Sequence, residues 1–267
     1  MKNLLKSSLL TLAGLALLTN ANAKTIQEGV LKIVTEGTYS PYSFHDEKGE
    51  LTGYDVDVAR AVAKKLNLKI EFLTAPWDAM LAAFDAGKAD TVFNQVSITE
   101  ERKKKYEFSE PYTVPRAVLI THKDTQDIKG FDDLKGKKSA HSATSNWAQI
   151  AEKHGAQIVV VDGFSKGVEL IAQKRADATI NDDVTFLDYV KQRPNAPIKV
   201  VFTGEAIPTA ALAHKDNAEL IAQINKALGE LKSSGKLKEI SEKYFGKNIS
   251  NRLEKTLVFI VLIIVVH

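Results

Sequence analysis

Arg102 closes the run Asn94-Gln95-Val96-Ser97-Ile98-Thr99-Glu100-Glu101-Arg102, and it is the residue whose type and place first suggest chemistry. A guanidinium is a planar fork of N–H donors that grips a carboxylate through two parallel hydrogen bonds. The apolar run before it, Asp90-Thr91-Val92-Phe93, reads as a buried strand, so 94–102 reads as a loop that opens a helix. Free backbone N–H groups at a helix start attract anions. Together these features suit the carboxylate of a small ligand. An ordinary helix start, with Thr99 as cap and Arg102 in solvent, has the same local sequence, so the decision falls to the rest of the chain.

Several other chemistries are absent. The 267 residues contain no cysteine, which excludes disulfides, thiolate zinc sites and cysteine nucleophiles. No Gly-x-Ser-x-Gly elbow, His-Glu-x-x-His pair or Gly-x-x-x-x-Gly-Lys-Ser/Thr loop is present. His141 and His154 have no catalytic spacing and read as surface or packing residues. The densest basic run, Arg102-Lys103-Lys104-Lys105, is interleaved with Glu100, Glu101 and Glu107 and reads as a solvated helix face. With 36 basic and 33 acidic residues in all, the balance gives no support to nucleic-acid binding.

The elements that must position Arg102 follow a βα rhythm. Residues 1–23 carry Lys2 and Lys6, an apolar run from Leu9 to Leu18 and Ala21-Asn22-Ala23, the three parts of a secretory signal cut after Ala23. Strands are expected at 30–34, 68–73, 90–93, 117–121, 139–141, 158–161, 178–180, 198–202 and 209–213. Helices are expected at 55–66, 77–84, 146–154, 167–175, 183–191, 218–231 and 237–244, with a short one at 131–136. Gly37 to Phe44 reads as a loop rich in aromatic and turn-forming residues. Thr256 to Val266 is a continuous apolar run, too short to span a bilayer as a helix. It reads as an extra strand, a partial membrane contact or, the favoured reading, a non-native extension, because the globular pattern closes at Phe245-Gly246.

Alternating strands and helices imply α/β sheets covered on both faces. Two series of similar length imply two lobes. Ligands of open α/β sheets bind beyond the carboxyl ends of strands, here the loops after residues 34, 93 and 180 and the turn at 142–146. Two lobes facing one another in this way form a cleft that closes about a hinge.

The chain resembles the polar amino-acid family of periplasmic substrate-binding proteins of ABC transporters. The motifs that carry the resemblance are Glu36-Gly37-Thr38-Tyr39-Ser40-Pro41-Tyr42-Ser43-Phe44, Leu51-Thr52-Gly53-Tyr54-Asp55-Val56-Asp57, and Ser97-Ile98-Thr99-Glu100-Glu101-Arg102 with Tyr106-Glu107-Phe108-Ser109-Glu110-Pro111-Tyr112 after it. It spans roughly residues 28–247. Ser139-Ala140-His141-Ser142-Ala143-Thr144-Ser145-Asn146-Trp147, Ala176-Asp177-Ala178-Thr179-Ile180-Asn181-Asp182 and Asn94-Gln95 look like cystine-binding members. The second-lobe loop lacks the Gly-Thr-Thr common elsewhere in the family.

The resemblance implies an α/β, two-lobed periplasmic-binding-protein fold, each lobe a mixed sheet flanked by helices, with a hinge of two crossover strands. Lobe 1 would be 24–118 with 210–250, lobe 2 would be 119–209, and 251–267 an anomalous tail. It implies a periplasmic monomer without cofactor, which captures a polar amino acid such as L-cystine and delivers it to a permease in the inner membrane. Arg102 would take the α-carboxylate, helped by Thr144 and by backbone N–H groups near Ser97 and Ser145, and Asp182 the α-ammonium. Tyr39, Phe44 and Trp77 would wall the side chain, with Ser142 in the second-lobe loop. Asn94, Gln95 and Asn146 could bond a second polar head, as cystine needs, or Asn94 and Gln95 could only hold their loop. Plain core packing for Trp77 and Phe44, and helix capping for Asp182, stand as alternatives. A dehydratase-like enzyme on the same fold would need a carboxylate in the cleft, for which Glu36 is the candidate, and a ligand-sensing ectodomain would need the tail as an anchor.

Overall fold

A computed structural model describes residues 24–250. The signal segment, its cut after Ala23 and the 256–266 run lie outside the described residues. In chain order the elements are β1 (Val30–Thr35), β2 (Thr38–Tyr39), β3 (Ser43–His45), β4 (Leu51–Thr52), α1 (Tyr54–Lys65), β5 (Lys69–Thr74), α2 (Trp77–Asp85), β6 (Thr91–Ser97), α3 (Glu100–Lys105) and β7 (Tyr106–Phe108). The second series is β8 (Arg116–His122), a 3-10 turn at Phe131–Leu134, β9 (Lys138–His141), α4 (Asn146–Lys153), β10 (Gln157–Val160), α5 (Phe164–Ala172), β11 (Ala178–Asp182), α6 (Asp183–Gln192) and β12 (Ile198–Ala206). The chain returns through β13 (Thr209–His214) and ends in α7 (Ala218–Ser233) and α8 (Lys236–Phe245).

The apolar alternation of β1 explains how the first layer forms. Leu31 and Ile33 pack with Val58 and Val62 of α1, while Val34 points the other way, into Met80 and Phe84 of α2. A strand buried on both faces lies inside a sheet, and β1 is flanked in parallel by β5 and β6 in the order β5-β1-β6-β13-β7, with β13 antiparallel to β6. The second sheet, β10-β9-β11-β8-β12, is mixed in the same way, with β8 antiparallel to β11 and β12. Its core is split likewise: Leu119 and Ile180 meet Leu134 and Ala151 on one face, and Val118 and Ile120 meet Val168 and Ile171 on the other. Two antiparallel stretches cross between the lobes, joined by Ile207 N–H to the Pro115 carbonyl at 2.9 Å and Thr209 N–H to the Thr113 carbonyl at 3.0 Å. The expected fold class is the observed one.

Three local expectations are revised. Strand β6 runs to Ser97 rather than stopping at Phe93, because β13 keeps pairing with it as far as Thr209 opposite Ser97. Between Ala210 opposite Val96 and Leu212 opposite Val92 the register slips, and Gln95 takes a positive φ of 49°. So Asn94 and Gln95 stand on a bulge inside a strand, a device that re-aims side chains. Strand β8 belongs to the second sheet from Arg116, ahead of residue 119, since Arg116 and Ala117 already pair with Ala206 and Asp182. The aromatic loop is tied into a small antiparallel sheet, β2-β3-β4. It lies so close to the start of α1 that a Cβ at Gly53, whose φ is 128°, would stand 2.2 Å from the Tyr42 carbonyl oxygen.

Candidate functional site: the cleft between the lobes

The carboxyl ends of β1 and β6 face those of β9 and β11 across the cleft, and side chains from both lobes meet there. Arg102 sits in the first turn of α3, where its own N–H is held by the Thr99 side chain at 3.2 Å. The cap expected from sequence therefore exists, and it aims the guanidinium. Nη1 donates to the Ser97 carbonyl at 3.1 Å and to Asn146 Oδ1 at 3.2 Å, and Nη2 to the Thr144 carbonyl at 3.3 Å. The group also lies 5.2 Å from the centroid of the Trp77 ring, in cation–π range. Burial lowers its pKa to about 10, so it stays charged at neutral pH. These acceptors are all neutral oxygens, which leaves the charge available to an anion.

Asp182 ends β11 and caps α6. Its Oδ1 accepts from Thr185 N–H at 2.7 Å and from Tyr42 Oη at 3.1 Å. Its Oδ2 accepts from Thr185 Oγ1 at 2.9 Å and lies 2.6 Å from Tyr39 Oη, which is also 2.7 Å from Asn181 Oδ1. A single phenolic proton can serve only one of those last two acceptors at a time. Burial raises the Asp182 pKa, and the Tyr39 and Thr185 hydrogen bonds oppose that rise. Capping and cleft position are thus both true of Asp182, because the cap residue is also the last residue of a strand that points into the cleft.

The lobes are closed onto one another along two edges. At one edge, besides the Arg102 bonds, Trp77 Nε1 donates to Thr144 Oγ1 at 3.0 Å and Gln149 Nε2 to Glu101 Oε2 at 2.9 Å. At the other, Ser40 Oγ donates to Asp188 Oδ2 at 2.8 Å beside the Tyr39 and Tyr42 bonds. Between the edges lies a cavity of about 50 Å³ lined by Glu36, Tyr39, Trp77, Asn94, Gln95, Ser142, Ser145, Asn146, Trp147, Gly163, Phe164 and Asn181. Seven of the expected residues are therefore on its wall. Arg102, Thr144 and Asp182 stand behind that wall, bonded to it, and Ser97 stands behind Arg102. Phe44 lies elsewhere, in an outer groove with Ser40, Asp188 and Gln192, because its strand pairing with Thr38 and Thr52 turns it away. A larger hollow of about 1040 Å³ lies on the back of the first lobe between α1, α7 and α8. Charges on its lining pair with each other in Lys65–Glu230 at 3.1 Å and Lys243–Asp57 at 2.7 Å, and no expected site residue lines it.

Asn94 and Gln95 spend their amides inside the first lobe. Asn94 Oδ1 accepts from Thr35 Oγ1 and Glu36 N–H, both at 2.8 Å, and its Nδ2 donates to Glu36 Oε2 at 2.7 Å. Gln95 donates to Asp55 Oδ1 at 2.7 Å and accepts from Thr209 Oγ1 at 2.8 Å and from Thr113 Oγ1 at 2.5 Å, both on the crossing stretches. Ser142 Oγ donates to the Val161 carbonyl and accepts from Gly163 N–H, both at 3.2 Å, and Ser145 caps α4 through Trp147 N–H at 3.1 Å. Asn146 Nδ2 is buried without a partner, a donor beside the guanidinium. Sequence reasoning missed Asp78, Asn181, Trp147, Gly163 and Phe164, and weighed Glu36 only as a catalyst. Gly163 and Phe164 follow the carboxyl end of β10, so the strand-end rule could have found them. Burial raises the Glu36 carboxyl to about 7, and Asn94 only partly offsets this.

Residues 31–247 match the model of the bacterial extracellular solute-binding proteins, family 3. The chain belongs to this family. A probable amino-acid ABC transporter-binding protein of Haemophilus influenzae is 45% identical over 256 residues, 94% of this chain and 100% of that one. Among solved structures, the L-cystine solute receptor of Neisseria gonorrhoeae in its unliganded open conformation is 46% identical, covering 84% of this chain and 96% of that one, with a TM-score of 0.55. An ancestral arginine-binding protein bound to glutamine is 40% identical, covering 83% and 100%, with a TM-score of 0.78. This family member superposes better on the ligand-bound chain despite lower identity, in keeping with its hydrogen-bonded, closed cleft. No helix among its described residues is long and apolar enough to cross a membrane.

Proposed function

We propose that this solute-binding protein captures a polar amino acid, L-cystine first among them, by closing its lobes, and delivers it to an ABC transporter permease in the inner membrane. The observation that carries the reading is the placement of Arg102 and Asp182, a cation and an anion from opposite lobes, around one small cavity. A free amino acid is a zwitterion and needs both. Its carboxylate goes to Arg102 and the unpartnered Asn146 Nδ2. Its ammonium goes to Asp182, in exchange for the hydroxyl of Tyr39. Glu36, on the cavity wall, supplies a polar group for a second head. Cystine carries such a head, and the gonococcal receptor with which the chain shares 46% identity is an L-cystine receptor. Ligand favours closure because its contacts to the two lobes exist together only in the closed state. The protein acts in the periplasm as a monomer, cut after Ala23, without a cofactor and without turnover of its ligand.

A thermal-shift screen over the amino acids with L-cystine included tests this. A ligand at 100 times its Kd stabilises by about 2.7 kcal/mol, so L-cystine should raise the melting temperature clearly. No shift with any amino acid would sink the reading. A buried carboxyl near neutral pKa, Glu36, is also what a general acid–base catalyst requires. Incubation with amino acids separates the two: the binding reading returns the ligand unchanged, and a product overturns it.

A further inference from the structure

Every side-chain hydrogen bond of Asp78 leaves its own lobe. Asp78 occupies the second position of α2, half-buried, where an acidic residue ordinarily faces its own helix dipole. Instead its carboxylate crosses the cleft. Oδ2 accepts from Ala143 N–H at 2.9 Å, and Oδ1 accepts from Thr144 N–H at 2.8 Å and from Thr144 Oγ1 at 2.6 Å. Thr144 in turn accepts from the Trp77 indole on Oγ1 and from Arg102 on its carbonyl. A chain of donors thus runs from Trp77 to Thr144 to Asp78, and each bond polarises the next. The second-lobe turn that would meet a ligand carboxylate is already held by a carboxylate of the first lobe, one residue from the Trp77 ring that supports Arg102.

We propose that Asp78 is a latch: a positioning residue that stabilises the closed lobes without ligand, fixes Thr144 and thereby the Arg102 guanidinium, and sets how long a captured solute is retained. The three bonds exist only when the lobes meet, so they add directly to the closed-to-open ratio. In the open state the same carboxylate returns to water and to the start of α2. Its charge suits this task. An amide in its place would turn an NH2 group toward one of the two backbone N–H donors, losing that bond and opposing it.

The retention half rests on the binding function proposed above, while the latch itself does not, and the test keeps them apart. The chain has no cysteine, so Lys88→Cys on the first lobe and Lys153→Cys on the second accept spin labels cleanly. In the ligand-free protein, Asp78→Asn should move the label–label distance distribution outward, with the closed-to-open ratio falling about tenfold. Thr144→Val, which keeps the two backbone N–H bonds to Asp78 but loses the hydroxyl's bonds to Asp78 and Trp77, should also move it outward. Both variants should keep the wild-type circular dichroism. A distribution for Asp78→Asn that coincides with the wild type overturns the latch.

Trp77 and Trp147, the two tryptophans of the chain, both line the cavity, so their fluorescence reports occupancy. In stopped flow with L-cystine, Asp78→Asn should release ligand about tenfold faster with little change in association. Unchanged release would overturn the role in retention. No signal from any amino acid, with the distance shift still present, would sink the binding reading and leave the latch standing.

Discussion

Arg102 of the first lobe donates through Nη1 to Oδ1 of Asn146 in the second, at 3.2 Å. That bond joins the cation of one jaw to the first residue of α4 in the other. It also places the unpartnered Nδ2 of Asn146 on the same small group of atoms. Replacing Arg102 by alanine should abolish binding of every α-amino acid, a loss of roughly 2–5 kcal/mol or more. Calorimetric titration checks this, and the ligand-free melting temperature should stay close to the wild type. Retained affinity would show that the carboxylate goes elsewhere.

Asp182 is bonded to Thr185 within its own lobe and to Tyr39 and Tyr42 in the other. Asparagine is as good an N-cap as aspartate, so Asp182→Asn should leave the ligand-free melting temperature nearly unchanged while weakening amino-acid binding strongly. Asp182→Ala should lower both, the cap alone costing about 1 kcal/mol. Comparing the two variants by scanning calorimetry and titration separates the structural role from the ammonium site.

Trp77 offers its ring to Arg102 at 5.2 Å and its Nε1–H to Thr144. Trp77→Phe should keep a wall but lose the hydrogen bond and part of the cation–π attraction, weakening ligand binding by roughly 1 kcal/mol. Trp77→Ala should cost more in both affinity and stability. A Trp77→Phe variant that binds like the wild type, with the loss confined to Trp77→Ala, would argue for packing alone.

Stability should fall as pH rises from about 5 to about 7. Burial lifts Glu36 from 4.5 and Asp55 from 3.8 to about 7, so in that window the folded protein holds protons the unfolded chain has released. The stabilisation is fully present below the unfolded pKa values and is lost as pH passes the folded ones. Buried His141, lowered from 6.5 to about 3, works the other way over part of the range, but as one group against two. Thermal melts of ligand-free protein should therefore show a higher midpoint at the acidic end, and Asp55→Asn should flatten the profile. A midpoint that climbs through this window would contradict the burial of these carboxyls.

The local patterns were legible in the amino-acid sequence. The apolar spacing of 30–34 and 56–66 marked β1 and α1, and the order Thr99, Glu100, Glu101, Arg102 marked a capped helix start. Two βα series of like length marked two lobes. Each of these is an interaction between residues a few positions apart, which periodicity and capping chemistry report directly. The tertiary structure alone decided who meets whom across the cleft. Tyr39 and Asp182 are 143 residues apart and Asp78 and Thr144 are 66 apart, and no local pattern records such pairs. It likewise decided that β6 continues through Asn94 and Gln95, because strand length depends on a partner, β13, that arrives more than a hundred residues later. The shifted carboxyls of Glu36 and Asp55 belong to the same class. Desolvation is set by what the whole fold packs around a group, and the sequence names only the group.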